Sequence, residues 1–216
     1  MFVLEIVEDK VKTQPDQFER SMREIIIEQI ELKYVNKIIY QVGLCVAFYD
    51  FIHVGDPLIY PAEGSTHQSV KFRLVVFRPF DGETLVGTIS QSDEKGITVS
   101  MGFFDDIFIP ANRLLDNTVY DEKRKLWIWK YGEPPDLSDF VMDLKETIRF
   151  KVLTVGFSND EELRNQMKAQ NSFKTSSNAM HTGAAAATAS APPPEPYAMK
   201  VIGGIQDFGL GLVTWW

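Results

Sequence analysis

Cysteine is almost missing from this chain. The single residue, Cys45, excludes an intramolecular disulfide framework and any cysteine-rich zinc site. It lies inside Gly43-Leu44-Cys45-Val46-Ala47-Phe48 and reads as a small buried hydrophobe rather than a reactive thiol. Histidine is also scarce: His53, His67 and His181 lie far apart, and none sits at metal-ligand spacing. No GxxxxGK[ST], GxSxG, GxGxxG or HExxH motif occurs. Gly203-Gly204 and Gly209-Leu210-Gly211 read as turn glycines, because no helix clearly follows them to make a phosphate cradle. Asp105-Asp106 is an adjacent pair, and neighbours on a strand point to opposite faces, so the two carboxylates are poorly placed to share a proton. The expectation is a protein that is not an enzyme, with no catalytic residue, cofactor or metal.

Long apolar runs are absent too. None approaches the ~18 to 20 residues of a membrane span. The start, Met1-Phe2-Val3-Leu4-Glu5, lacks the basic and apolar regions of a signal peptide. A soluble protein of a reducing compartment is expected, with no membrane partner. A basic excess is missing as well: the formal net charge is −8 and the pI about 5.0. That argues against retention on nucleic acid by bulk charge, while leaving room for a local basic patch.

Core-forming residues are plentiful. Of 216 residues, 44% are hydrophobic and 12% aromatic, with 15 Phe and 4 Trp, enough for one ordinary domain or two small ones. Phe2 to Val7 alternates with period two and predicts a strand. Pro15 and Asp16 suit a helix start, and Phe18, Met22, Ile25, Ile26 and Ile30 step by three and four, predicting a helix over 17–35. Strands are predicted at 37–40, 44–51, 58–60 and 70–77, giving a small α+β domain over 1–80. Beyond Arg78-Pro79-Phe80-Asp81-Gly82 short strands come at regular spacing, at 83–90, 97–101, 107–109, 125–131 and 147–155. That pattern predicts a small closed barrel over 81–216. Residues 158–196 are rich in Ser, Ala and Pro and read as a flexible low-complexity insertion, after which 197–204 supplies a strand to close the barrel.

A barrel of this type can present a strand face to single-stranded nucleic acid, stacking bases on aromatic rings along a basic track. The RNA-binding candidates are Phe103, Phe104 and Phe108, Arg113 just beyond them, the cluster Lys123, Arg124 and Lys125 leading into Trp127, and Arg149 with Lys151 on one face of a later strand. Phe108 and Trp127 are read more readily as rings that fill the barrel, and the cations as readily as solvated surface.

Several motifs now converge. The succession strand, long helix, strands, then Val75-Val76-Phe77-Arg78-Pro79-Phe80-Asp81-Gly82-Glu83 at the junction with a barrel resembles the larger stalk subunit of multisubunit RNA polymerases. This family comprises the larger stalk protein of the archaeal polymerase and its eukaryotic nuclear counterparts. Met101-Gly102-Phe103-Phe104-Asp105-Asp106-Ile107, Trp127-Ile128-Trp129-Lys130-Tyr131-Gly132-Glu133-Pro134 and the terminal Gly209-Leu210-Gly211-Leu212-Val213-Thr214-Trp215-Trp216 resemble its RNA polymerase III branch. The resemblance covers the chain except 158–196. It implies an α+β class protein with a small N-terminal RNP-like domain and a C-terminal OB-fold barrel.

By resemblance the chain is a noncatalytic subunit in the nucleus. Its first domain would dock on the RNA polymerase III core and pair with a smaller helical stalk subunit as a heterodimer. Its second would reach initiation factors and nascent single-stranded RNA, in the synthesis of transfer RNA and 5S ribosomal RNA. One position departs from the pattern: RNA-binding barrels of this type often carry an aromatic directly after the turn glycine of the second strand, where this chain has Ile97 after Gly96. A free-standing single-stranded RNA-binding protein of RNA processing or translation is the alternative.

Overall fold

The structure, a computed structural model, describes residues 1–59, 63–132, 138–158, 162, 165 and 197–215. Two compact units divide the chain, Met1–Pro79 and Phe80–Trp216.

The first unit is an antiparallel sheet backed by one helix. Strands β1 (Phe2–Thr13), β2 (Ile38–Ile39), β3 (Gly43–Val54), β4 (Leu58–Ile59) and β5 (Thr66–Phe77) form it, in the order β1-β5-β3-β2 with β4 also paired to β5. β1 lies along the whole of β5, from Phe2 opposite Phe77 to Thr13 opposite Thr66. Helix α1 (Met22–Tyr34) is shorter than the pattern 17–35 predicts. Pro15–Gln17 makes a separate 3-10 turn, and Ser21, with ψ 120°, holds extended backbone that starts the helix anew. Beyond its end, Asn36 takes a φ of 59°, and Lys37 donates to the carbonyls of Leu32 and Lys33 at 3.0 and 2.8 Å.

Ile26 and Ile30 of α1 pack on Val11, Cys45, Val70, Phe72, Leu74 and Val76, all essentially sealed from solvent. Burial pushes the Cys45 thiol up to about 11, so it stays protonated and inert at neutral pH. Alternation along β1 sends Val7 and Val11 under the helix and Phe2, Leu4 and Ile6 to the other face, where they are 46%, 44% and 55% exposed.

The second unit holds a closed five-stranded barrel. β6 (Thr84–Asp93), β7 (Gly96–Ser100), β8 (Ile107–Pro110), β12 (Thr147–Phe157) and β13 (Met199–Gly204) run in the order β13-β8-β7-β6-β12, and β12 pairs with β13 to close it. Among these strands only β8 and β13 pair in parallel, the mixed arrangement of an OB barrel. Ile89, Ile97, Val99, Ile107, Ile109, Phe150 and Val201 fill its interior. The backbone at Gly96 takes φ +150°, and a Cβ there would stand 2.2 Å from the Ile109 carbonyl oxygen, so this turn admits no side chain.

One barrel expectation needs correction. The strand at 125–131, observed as β10 (Leu126–Tyr131), stands outside the barrel. It is the centre of a separate three-stranded sheet with β9 (Thr118–Asp121) and β11 (Ser138–Met142). Local alternation shows that a segment is a strand but not which neighbours it pairs with. A short β14 (Gly211–Leu212) extends the barrel sheet beside β12. The insertion expected at 158–196 falls almost wholly outside the described residues.

Candidate nucleic-acid interface

Alternation on β12 buries Ile148, Phe150 and Val152 and turns Arg149 and Lys151 outward together. Lys151 Nζ is held 2.7 Å from Asp207. Arg113 ends a 3-10 turn, Ala111–Arg113, whose final carbonyl accepts from Ile205 N at 2.9 Å. Gly204 pairs with Lys151, so the segment 204–207 brings Arg113 and Lys151 to one neighbourhood.

Lys123, Arg124 and Lys125 sit in the turn between β9 and β10, all exposed. Asp121 organises that turn: its Oδ1 accepts from the amides of Lys123 and Arg124 at 2.9 and 3.4 Å, and its carbonyl from Lys125 N at 2.7 Å. Asp121 also lies 3.8 Å from the Arg124 guanidinium and offsets part of the local charge. Trp127 donates from Nε1 to the Asp93 carbonyl at 3.0 Å, which anchors the start of β10 beside the β6–β7 turn. The predicted cations therefore form two groups, one at this turn and one around Lys151.

Phe103 and Phe104 lie in the β7–β8 loop. Met101 N bonds the Phe104 carbonyl at 2.9 Å, and Ser100 Oγ takes the Gly102 amide while donating to Asp105. Phe103 is 44% exposed, whereas Phe104 is 5% exposed and packs inward, so only the first offers a ring face to solvent.

A further constellation escaped the sequence reading. Phe108 points outward between buried Ile107 and Ile109, and Lys200 outward between buried Met199 and Val201. Parallel pairing of β8 with β13 then brings them together: Lys200 Nζ stands 5.1 Å from the Phe108 ring centre and 5.6 Å from that of Tyr197. Two rings flanking a cation on the barrel's outer face can take a base by stacking and its phosphate by charge. The reading of Phe108 as a barrel-filling ring is corrected here: the pleat of β8 buries Ile107 and Ile109 and turns Phe108 out, and its juxtaposition with Lys200 depends on pairing between distant segments. Ile97, which follows the turn glycine, is fully buried. Among the described residues no group of three or more His, Cys, Asp or Glu is placed to hold a metal ion, and no helix is long and apolar enough to cross a membrane.

A helix-backed antiparallel sheet followed by a closed barrel with outward rings and cations defines a two-unit protein of the OB class. Residues 83–216 match the family described as RNA polymerase III subunit Rpc25, and residues 8–64 match the SHS2 domain found in the N terminus of Rpb7p/Rpc25p/MJ0397. Over 216 residues the chain is 35% identical to DNA-directed RNA polymerase III subunit RPC8 of Bos taurus, covering 100% of this chain and 98% of that protein. It is 37% identical over 224 residues to the subunit of the same name from Saccharomyces cerevisiae, covering 100% of both. A more distant relative is DNA-directed RNA polymerase subunit Rpo7 of Sulfolobus acidocaldarius, 28% identical over 128 residues, 59% of this chain and 70% of that one. The chain belongs to the RNA polymerase III subunit Rpc25 family. The resemblance read from its junction and terminal motifs is borne out.

Proposed function

We propose that this protein is a noncatalytic stalk subunit of RNA polymerase III, acting in the nucleus in the initiation of small untranslated transcripts such as transfer RNA and 5S ribosomal RNA. The observation that carries the reading is similarity along the entire chain to proteins named as subunits of that enzyme, at 35% and 37% identity. The domain over 1–80 docks on the polymerase core and pairs with a smaller helical stalk subunit. A feature of β1 supports this: a twelve-residue edge strand with Phe2, Leu4 and Ile6 open to solvent is a surface that gains by being covered. The domain over 81–216 meets initiation factors and the nascent single strand. Phe103, Phe108 and Lys200 supply rings and charge for that contact, with Arg113, Arg149 and Lys151 on one side of the barrel and Lys123, Arg124 and Lys125 at the turn.

Affinity purification of the tagged full chain from its own cells, with identification of co-eluting chains, tests the assignment. Polymerase III subunits and one small helical partner are expected in equal amount. A monodisperse monomer that never co-purifies with polymerase overturns it; tight oligouridine binding by that monomer would make it a free-standing RNA binder.

A further inference from the structure

Where β12 meets β13, the outer face of the barrel holds a row of residues bounded by charge at both ends. Residues directly opposite each other in an antiparallel pair share a face, so Gly156 with Lys200, Thr154 with Ile202, and Lys151 with Gly204 form one outward row. Each glycine of the row lies under a neighbour. Two atoms of the Tyr197 side chain stand 3.8 and 3.9 Å from a Cβ built on Gly156, and Arg113 Cβ stands 3.5 Å from one built on Gly204. The row therefore runs from Tyr197, Phe108 and Lys200 at one end to Arg113 and Lys151 at the other, about 13 Å at the rise of a strand.

The two lysines have different surroundings. Lys200 stands against rings, whereas Lys151 Nζ stands 2.7 Å from the Asp207 carboxylate. The backbone that carries Asp207 is pinned beside Arg113. Ile205 N donates to the Arg113 carbonyl at 2.9 Å, Gln206 Nε2 to the Asn112 carbonyl at 3.0 Å, and Leu210 N to the Asp207 carbonyl at 3.3 Å. Gly209, at φ +81°, closes that turn. The Lys151 and Asp207 side chains stay 40% and 60% exposed, so the pair parts readily when a second anion arrives.

We propose that Asp207 is a resident competitor for phosphate: its carboxylate stands on Lys151 where a backbone phosphate of a bound strand would stand, and the strand takes Lys151 only by displacing it. This rests on the reading above that the barrel meets a nascent single strand. Carboxylate and phosphate oxygens accept the same charge-assisted bond from an ammonium, and the two anions repel each other at one cation. The strand is then held less tightly than the rings and cations of the row alone would hold it, which suits a surface that a growing transcript has to slide across.

Anisotropy titration of the full chain tests this, with labelled oligouridine and, as an anion without bases, labelled inorganic polyphosphate. Asp207→Asn removes the charge and keeps the shape of the side chain; Glu19→Gln makes the same charge change in the first unit. Both variants are checked for an unchanged thermal midpoint. Asp207→Asn is expected to tighten each probe about threefold and to steepen the salt dependence of oligouridine binding by about 0.7 in log–log slope, the effect of one phosphate contact, while Glu19→Gln does neither. In a Lys151→Ala background Asp207→Asn is expected to do no more than Glu19→Gln. A gain that survives Lys151→Ala overturns the proposal, and so does an Asp207→Asn chain that binds both probes as Glu19→Gln does. Oligouridine that binds none of the variants overturns the RNA reading instead, and the polyphosphate titrations then decide whether Asp207 shields Lys151.

Discussion

The Lys200 ammonium stands 5.1 Å over the Phe108 ring, on two strands far apart in the sequence that the barrel pairs in parallel. The pair is an outward ring and an outward charge in contact, on a barrel whose interior is already filled by Ile97, Ile107, Ile109 and Phe150.

If nascent RNA meets this face, Phe108→Ala removes a stacking surface worth about 1 to 3 kcal/mol per base, roughly 5- to 150-fold in affinity. Lys200→Ala lowers the salt dependence of oligouridine binding by about 0.7 in log–log slope. Anisotropy titrations across a salt series read both. Unchanged affinity in the two variants, with loss on charge reversal of Lys123, Arg124 and Lys125, moves the contact to the β9–β10 turn.

Two glycines with positive φ separate conformational strain from steric collision. Gly82 has φ +89° with nothing within 4 Å of a built Cβ, whereas at Gly96 the Cβ meets the Ile109 carbonyl. Gly82→Ala is expected to cost about 1 kcal/mol and Gly96→Ala about 3 kcal/mol or more in urea unfolding of the barrel. Equal losses would show that the turn yields to the added methyl.

In the first unit, Phe72 is fully buried and Leu4 is 44% exposed. Phe72→Ala should cost about 3 to 5 kcal/mol, and Leu4→Ala no more than about 0.5 kcal/mol. Leu4→Asp is expected to leave the thermal midpoint of the purified chain in place while reducing its recovery with polymerase. A variant that co-purifies normally removes β1 from the docking surface.

Glu63 receives hydrogen bonds from Lys12 and His67, which hold its carboxyl at about 2, well under the ordinary range. Because the folded value is the lower one, the stabilisation is complete above about pH 4.3 and disappears as pH falls towards 2. Glu63→Gln should therefore lower the thermal midpoint at pH 6 and make no difference near pH 2. A gap independent of pH would mean that Lys12 and His67 do not act through the carboxylate's charge.

Much of the fold was legible along the chain. Period-two alternation marked β1 and β5 of the first sheet and β12 of the barrel, regular spacing between turn residues marked the other barrel strands, and the three-and-four spacing of Ile26 and Ile30 marked the helix. The helix start was misplaced because Phe18 fits the apolar spacing, yet the backbone at Ser21 is extended, a break that spacing does not register. β9 and β11 went unread because Thr118–Asp121 and Ser138–Met142 are short and bury only Met142 between them, so no apolar stripe announces them.

The candidate interface divides the same way. Arg149 and Lys151 could be assigned to one outward face because a single strand's pleat decides it. Phe104 and Phe103 are adjacent, and only the loop's path, closed by the Met101–Phe104 bond, sends one ring inward and leaves the other 44% exposed.

By itself the sequence determined what local periodicity and motif content can carry: two small units, a helix against a sheet, a barrel, and membership of the polymerase stalk family. The tertiary structure alone decided that β10 leaves the barrel for its own sheet, that Lys200 reaches Phe108, and that Trp129 gathers Tyr131, Phe140 and Trp215 around it. The reason is physical. Alternation reports which face a side chain takes, but strand pairing between distant segments is chosen by how the whole set of faces packs, and no local window contains that information.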